Sequence, residues 1–252
     1  MKITTIAFAL VTVIILFPAC QKDYDAGVTL PPLPTDTSAN SNSYKVKTYT
    51  EDYSTPAGRE VVTYNVSYDE KGRLSSAVST TSPGDKFVYG YTPDSYTLDI
   101  YNAGQISIHV VYFINSLSLI DSSLQYNDTK DTSSEKYIYN AGRQLIRLQE
   151  YQHVAGMGAI LSNVHHYDYD NKGNLLKDST NNSLERYEYY DNLFNNLSIG
   201  LDIRPRNKNL VKTTISDGGT VSHTYTFDNL NRLTSEKEVF STGEVAIRTY
   251  TY

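Results

Sequence analysis

Aromatic residues alternate with polar residues along several stretches of the chain. Tyr64, Val66 and Tyr68, for example, are separated by single polar residues. Because successive side chains of a strand point to opposite faces, a period of two predicts half-buried β-strands. The stretches with this pattern are Tyr64–Tyr68, Tyr137–Tyr139, Tyr167–Tyr169, Tyr187–Tyr189 and Tyr225–Phe227.

A short motif ends four of these stretches. It runs from an aromatic residue through Asp or Asn and several turn formers to a Leu six positions after the aromatic. The Asp or Asn bonds its own backbone to start a turn, a later Gly or Asn accepts a positive φ, and the Leu begins the return strand. Each unit is therefore predicted to be a β-hairpin, with turns at 69–73, 140–143, 170–174 and 228–232. The motif residues are Tyr68, Asp69, Gly72 and Leu74; Tyr139, Asn140, Gly142 and Leu145; Tyr169, Asp170, Gly173 and Leu175; and Phe227, Asp228, Asn231 and Leu233.

The recurrence of the motif predicts the fold class. A shorter version spans Tyr101–Ile106 and a longer one Tyr190–Leu197. A pattern that recurs every few tens of residues is typical of a repeat architecture. We expect a single all-β domain over residues 44–252. It is predicted to be an antiparallel meander of repeated β-hairpins that forms an extended, twisted or partly closed sheet.

Residues 168–179 also invite comparison with a calcium-binding loop. Asp168 and Asp170 are two positions apart and Gly173 follows. An EF-hand loop that starts at Asp168 needs an oxygen ligand at its fifth position and a bidentate Glu at its twelfth. Those positions are Lys172 and Ser179. We therefore predict no metal here, with Asp168 on a solvent-facing strand position and Asp170 in a turn.

The four motifs resemble the YD repeats of Rhs-type proteins. More closely, the chain is similar to small secreted lipoproteins of Bacteroidota that are built from divergent YD-like hairpins, a family without an assigned activity. The resemblance covers residues 44–252 and concerns architecture rather than chemistry. Rhs proteins form large shells around a toxin, whereas this chain has about six irregularly spaced units, too few for a long repeat array. An encapsulating role is therefore not implied.

The N-terminal segment has the layout of an export signal. One lysine precedes an apolar run that ends at Cys20, the sole cysteine. The run is shorter than the about 20 residues of a comfortable membrane span, which favours a signal peptide over residues 1–19. Ala19-Cys20 resembles a lipobox, although Phe17-Pro18 departs from the usual residues there. A lone cysteine in an exported chain makes no internal disulfide, so we expect Cys20 to carry the lipid; the alternative is a cleaved signal with an incidental cysteine.

The segment after Cys20 predicts a tether. Lys22 and Asp23 resemble the export signal that sends such lipoproteins to the cell surface, and the alternative is an ordinary polar spacer. Residues 26–43 hold three prolines followed by Ser, Thr and Asn. This composition is typical of a stretched linker without a core, so residues 20–43 are predicted to be a disordered tether. We expect the membrane to be a partner through N-terminal acyl chains, and the protein to lie at the outer membrane, facing the cell exterior if the export signal acts.

Composition narrows the function classes. The net charge is −6 and no run of Lys or Arg occurs, so the footprint of a nucleic-acid-binding protein is absent from the sequence. There are 23 Tyr and no Trp. A membrane-spanning barrel is an alternative because the chain ends in RTYTY, but many positions predicted to face outward are Lys, Glu, Asp or Asn.

The sequence lacks the common catalytic and metal-binding motifs. The chain has no HExxH, CxxC, phosphate-binding glycine loop or GxSxG element. His165 and His166 are adjacent, so on a strand they point to opposite faces and do not share a metal. We therefore predict no catalytic residue, no metal and no cofactor.

Three function classes follow. The first is a non-catalytic surface binding module that presents a Tyr-rich sheet to a glycan, peptide or protein, because tyrosine gives contact area at low entropy cost. The second is a purely structural envelope lipoprotein. The third, less favoured, is a hydrolase with a site assembled from distant loops. A contiguous row of exposed tyrosines would favour binding, and a face covered by charged side chains would favour the structural role.

Overall fold

The computed structural model of the chain describes residues 45–56, 58–127, 132–194 and 207–252. These residues form sixteen strands, each antiparallel to the next along the chain. The last strand pairs with the first, from Thr48 opposite Thr251 to Ser54 opposite Val245. The sheet is therefore a closed barrel, and the expectation of an extended or partly closed sheet is corrected. Cys20, Lys22, Asp23 and the predicted signal and tether lie outside the described residues.

The strands are β1 (Thr48–Thr55), β2 (Gly58–Tyr68), β3 (Leu74–Ser79), β4 (Lys86–Tyr91), β5 (Ser95–Asn102), β6 (Gln105–Ile114), β7 (Ile120–Asn127), β8 (Thr132–Tyr139), β9 (Leu145–Val154), β10 (Gly158–Tyr169), β11 (Leu175–Ser179), β12 (Leu184–Phe194), β13 (Asn209–Ser216), β14 (Gly219–Phe227), β15 (Leu233–Phe240) and β16 (Val245–Thr251). Among the described residues, no helix is long and apolar enough to cross a membrane.

The two ends of the barrel differ in their turns. In an antiparallel meander, the turns after even-numbered strands lie at one end and those after odd-numbered strands at the other. All four predicted turns follow even-numbered strands, namely β2, β8, β10 and β14. We call this end the Asx end, because its motif turns begin with Asp or Asn. The first strand starts and the last strand ends there too. The opposite end is called the far rim. The shorter motif at Tyr101–Ile106 turns at Ala103 and Gly104 after β5, so it lies at the far rim and is not a fifth equivalent unit.

The Asp or Asn of each motif organises its turn. Asp170 Oδ1 accepts hydrogen bonds from the backbone N–H groups of Lys172 and Asn174, both at 2.8 Å. Asp69 and Asp228 make the equivalent pairs of bonds, and each also pairs with an arginine four positions on. Burial works against ionisation, but these donors hold the pKa of all three carboxyl groups below the ordinary value. The turn interpretation of the motif is therefore confirmed at these positions.

One glycine of the motif does not have the predicted role. The fourth residue of each five-residue turn takes a positive φ: Gly72 at 79°, Gly173 at 88° and Asn231 at 57°. In the turn that begins at Asn140 this position is Arg143, with φ 64°, whereas Gly142 precedes it. The prediction that Gly142 is the corner residue is wrong, because turn length fixes the left-handed position and the glycine lies one residue too early.

Tyrosines face the inside of the barrel. Tyr49, Tyr89, Tyr112, Tyr137 and Tyr250 are buried, and they belong to a core cluster that includes the motif leucines at the Asx end. Tyr49 stacks on Tyr250 across the closing seam, with ring centroids 5.5 Å apart. These strands therefore do not present the contiguous row of exposed tyrosines that would favour a binding sheet, since closure turns the aromatic face inward.

Polar residues face outward. Along β1 the positions that alternate with the tyrosines are Thr48, Thr50, Asp52 and Ser54. The same face holds hydroxyl and charged residues around the wall, for example Thr63, Asn65, Lys136, Arg186, Thr224, Thr226 and Lys237. Exposed apolar residues, among them Phe113, Ile215 and Val239, share this face. The outer wall of the described barrel is therefore mixed, with charged and hydroxyl side chains on most strands.

A repeated hydrogen bond joins the hairpins at the Asx end. In each case a tyrosine at this end of one strand donates its hydroxyl to the backbone carbonyl of a buried residue at the start of the preceding strand. The described bonds are Tyr68 to Val46 at 3.1 Å, Tyr91 to Leu74 at 2.8 Å, Tyr169 to Leu145 at 2.6 Å, Tyr189 to Leu175 at 2.5 Å and Tyr252 to Leu233 at 2.9 Å. These side-chain bonds add to the backbone pairing of neighbouring strands at this end of the barrel.

Candidate functional site

Four neighbouring strands bring a group of ionisable side chains together inside the barrel. Glu51 on β1 and Glu236 on β15 both lie opposite Arg248 on β16, and His223 on β14 lies opposite Glu238 on β15. These positions alternate with outward-facing residues, so all five side chains project inward. We call Glu51, His223, Glu236, Glu238 and Arg248 the interior charge cluster.

Arg248 is the centre of the interior charge cluster. Its Nη1 donates to Glu238 Oε1 at 2.7 Å and to Glu236 Oε2 at 3.2 Å, and its Nη2 donates to Glu238 Oε2 at 3.2 Å. Its Nε lies 3.9 Å from Glu51 Oε1. His223 Nδ1 is 3.4 Å from Glu236 Oε1 and 3.6 Å from Glu238 Oε1. A planar guanidinium suits such a bidentate geometry with carboxylates.

The pKa values of two glutamates of the cluster, Glu51 and Glu236, are shifted in opposite directions. Burial raises the pKa of Glu51, and the nearby carboxylates add to this effect, although Tyr49 donates a hydrogen bond to the Glu51 carboxylate. Burial also opposes ionisation of Glu236, but bonds from His223 and Arg248 hold its pKa below the ordinary value. The same burial therefore acts on both acids, but only Glu236 has enough cationic and hydrogen-bonding partners to lower its pKa.

His223, Glu236 and Glu238 have the residue types of a metal site. One ligand atom from each lies within 4.8 Å of the others. However, the Arg248 guanidinium already bonds both glutamates, and His223 Nε2 lies 3.1 Å from Thr214 Oγ1. The Arg248 guanidinium thus already provides a positive charge for these carboxylates. His223, Glu236 and Glu238 therefore fit an ion-pair network better than a metal centre.

A second group lies inside the barrel on β9, β10 and β11. His165 Nδ1 is 2.9 Å from Asp178 Oδ1, and His165 Nε2 is 3.5 Å from Glu150 Oε1. Asn163 Nδ2 lies 3.1 Å from His165 Nε2. Hydrogen bonds with Asp178 and then Glu150 raise the pKa of His165 to about 9, against the opposing effect of burial. His165 is therefore an imidazolium at neutral pH.

Further inward-facing acids lie on β8 and β12, the strands on either side of this second group. Glu135 lies opposite Glu150, and Glu185 lies opposite Asp178. Glu135 accepts hydrogen bonds from Ser123 and from Tyr137, and Glu185 accepts one from Tyr187 at 2.5 Å. The inner wall from β8 around to β1 therefore carries more acidic than basic side chains among the described residues.

The predicted residues and the site residues occupy different places. The motif residues form turns and core at the Asx end, and none belongs to the interior charge cluster. His165 faces inward and His166 is exposed, as predicted for adjacent strand residues. Asp168 faces outward with its side chain 66% exposed, 3.6 Å from Lys177 Nζ.

Sequence reasoning missed the interior acids. Their signal is the Glu-x-Tyr spacing of Glu135 with Tyr137 and Glu185 with Tyr187, which places each acid one inward position from a tyrosine. A buried pair of amide side chains at the Asx end, Asn174 and Asn209, was also not predicted. Asn174 Nδ2 donates to Asn209 Oδ1 at 3.1 Å, and Asn209 N donates to Asn174 Oδ1 at 2.9 Å.

Comparison with known proteins gives likeness at the level of the fold. No family model and no curated protein matches the sequence. The barrel is similar to the crystal structure of a porin-like protein from Bacteroides uniformis, with a TM-score of 0.60 and 14% identity over 82% of this chain and 97% of that one. A porin-like protein from Bacteroides vulgatus has a TM-score of 0.56 and 15% identity over 82% and 98%. At this identity the likeness concerns the barrel fold alone.

Proposed function

We propose that the chain is a non-catalytic, lipid-tethered outer-membrane protein whose barrel stands in water beside the membrane. The observation that carries this proposal is the set of Thr, Ser, Asp and Lys side chains on the outer wall, which interrupt its exposed apolar residues, while tyrosines lie inside. A membrane-spanning barrel has an outward apolar band about 25 Å tall. Asp52, Asn65, Lys136 and Lys237 point outward here, so contact with lipid would leave charges in hydrocarbon.

A lipid on Cys20 would hold such a water-facing barrel at the membrane. Each buried methylene of an acyl chain contributes about 0.8 kcal/mol, and two or more chains anchor stably. The porin-like description of both structural neighbours supports an outer-membrane location for a barrel of this kind. The similarity to YD-like lipoproteins of Bacteroidota supports the same location and, through Lys22 and Asp23, an outward-facing position.

Fractionation of cells that express the wild-type chain or Cys20→Ser tests the anchor. The wild-type protein is expected to float with outer-membrane vesicles through a sucrose gradient and to resist a high-salt wash. Cys20→Ser is expected in the soluble fraction. Gln21→Ser, which makes a similar change at the neighbouring position, is the matched control that stays with the membrane. A Cys20→Ser protein that floats and resists alkaline carbonate overturns the tether and favours a spanning barrel.

The binding chemistry of this barrel is proposed to lie inside it. The inward face holds Glu51, Glu236 and Glu238 against Arg248, and part of this group remains open to solvent, since the Arg248 side chain is 28% exposed. An acidic surface within low-dielectric walls concentrates cations. The ligand class is therefore a small organic cation, and glycan, peptide or protein partners remain the alternatives for the outer wall.

Calorimetric titration of the purified barrel with spermine tests the interior site. Binding is expected to weaken at least tenfold in Glu51→Gln and to fall with salt, while Asp52→Asn on the outer face leaves it unchanged. If spermine does not bind, or binds all three proteins alike, the interior is not a cation site. The purely structural envelope role is then the better function, because the charged and hydroxyl side chains of the outer wall form no contiguous row of exposed tyrosines.

A further inference from the structure

At the far rim, the β9–β10 hairpin extends beyond the end of the adjacent strand β11. β10 pairs with β11 only from His166 to Tyr169, because β11 ends at Ser179, which lies opposite His166. From Gly158 to His165, β10 pairs with β9 on its other side. Among the described residues, this upper part of β10 thus has one edge without a neighbouring strand, and its N–H and C=O groups form a template for another strand.

Apolar side chains cover this part of the hairpin. Ile160 is 44% exposed and Leu161 is 48% exposed, while Val154 and Met157 at the tip are 42% and 75% exposed. From Val154 to Val164 the sequence has no charged residue and no proline. Charge and proline are the features with which natural sheets usually guard an open edge.

A second strand, β2, also has an unpaired edge at the far rim, and its sequence can be compared with that of β10. β2 pairs with β3 from Tyr64 downward, so Gly58–Val62 also extend beyond their neighbour on that side. This stretch carries Arg59 and Glu60, both exposed, and Arg59 forms a bidentate pair with Asp52. The unpaired edge of β2 therefore carries charged residues, whereas the unpaired edge of β10 carries none.

We propose that the upper edge of β10 pairs with the same edge of a second copy of this chain. An isologous contact about a two-fold axis places each edge against its own equivalent, so an uncharged edge meets no like charge. Antiparallel pairing joins the two barrels through their far rims and packs Ile160 and Leu161 against the same residues of the second copy. The bulge between Leu161 and Asn163 ends the regular strand, which centres the contact on Gly158–Leu161.

Sedimentation measured over a range of concentrations tests this contact. The protein used starts at residue 20 and carries Cys20→Ser, so that no acyl chain contributes to association. A reversible monomer–dimer equilibrium is expected, with a dissociation constant raised at least tenfold in Ile160→Lys and in Leu161→Lys. Val61→Lys on the unpaired edge of β2, where Val61 is 47% exposed, is the matched control and leaves the equilibrium unchanged.

Hydrogen exchange distinguishes this edge from any other interface. Amides from Gly158 to Leu161 are expected to exchange more slowly as concentration rises in the wild-type protein and not in Ile160→Lys. Circular dichroism melts establish that each variant is folded. A protein that stays monomeric at all concentrations, or a dimer that both lysine variants leave intact, overturns the proposal. Neither outcome bears on the membrane tether, which these samples lack.

Discussion

The hydroxyl of Tyr169, at the end of β10, donates a hydrogen bond of 2.6 Å to the backbone carbonyl of Leu145, the first residue of the neighbouring strand β9. Tyr169 lies opposite Leu175 in its own hairpin, so one side chain links two successive units. The same link recurs from Tyr189 to Leu175 and from Tyr252 to Leu233. The carbonyl groups of three motif leucines therefore accept equivalent bonds at this end of the barrel.

Removal of one hydroxyl measures the strength of such a link. Tyr169→Phe is expected to lower the free energy of unfolding by about 1 kcal/mol, because the Leu145 carbonyl loses a donor. Tyr169→Ala is expected to cost about 3 kcal/mol or more, since it also removes the packed ring. Urea denaturation measures both, and Tyr126→Phe on the exposed outer wall is the control. Equal stability of Tyr169→Phe and the wild-type protein would show that the bond contributes nothing.

The two aspartates of the 168–179 segment are expected to behave differently. Asp168→Asn alters an exposed strand position and is expected to change the unfolding free energy by less than about 0.5 kcal/mol. Asp170→Ala is expected to cost about 2 kcal/mol, because it leaves the N–H groups of Lys172 and Asn174 without their acceptor. Denaturation of the two variants under the same conditions compares these costs.

The same variants test the calcium alternative. The melting temperature of the purified barrel is expected to be the same with calcium and with chelator, because Asp170 already accepts bonds from its own turn. A rise of several degrees on addition of calcium, lost in both Asp168→Asn and Asp170→Ala, would establish a metal site in place of a structural turn.

Arg248 is expected to be more important for stability than the acids around it. Arg248→Met leaves Glu236 and Glu238 side by side without their shared cation, and loss of one partner from a buried ion pair costs about 3 kcal/mol. Glu51→Gln is expected to be neutral or stabilising, because burial already raises the pKa of that carboxyl group. Thermal melts at pH 7 give the comparison. A larger loss in Glu51→Gln than in Arg248→Met would contradict this order.

We expect the stability of the folded protein to fall at alkaline pH because of His165. Its pKa is raised to about 9 in the folded protein, above the about 6.5 of an unfolded chain. Protonation therefore favours the folded state, fully below about pH 6.5, and this contribution is lost as pH rises through about 9. The melting temperature is expected to fall across that interval in the wild-type protein. His165→Gln is expected to show a flatter profile there, and a profile as steep as that of the wild-type protein would assign the dependence to other groups.

The local structure of the hairpins could be predicted from the sequence. Alternation of tyrosine with polar residues identified strands, and the aromatic-to-Leu spacing located turns that begin after Tyr68, Tyr139, Tyr169 and Phe227. These signals are local, since a strand period and an Asx turn depend on residues within a few positions. Where the local signal was a residue type alone, it misled: Gly142 does not hold the positive φ, and Arg143 does.

Only the tertiary structure decided that the sheet closes and which face lies inside. Thr48 pairs with Thr251, more than 200 residues later along the chain, and no short-range pattern specifies a contact at that separation. A period of two separates a strand into two faces but does not say which of them meets water. Closure buried the tyrosines and brought Glu51 on the first strand to Arg248 on the last. The interior charge cluster thus exists because the ends of the barrel chain meet, whereas the turns exist because neighbouring residues do.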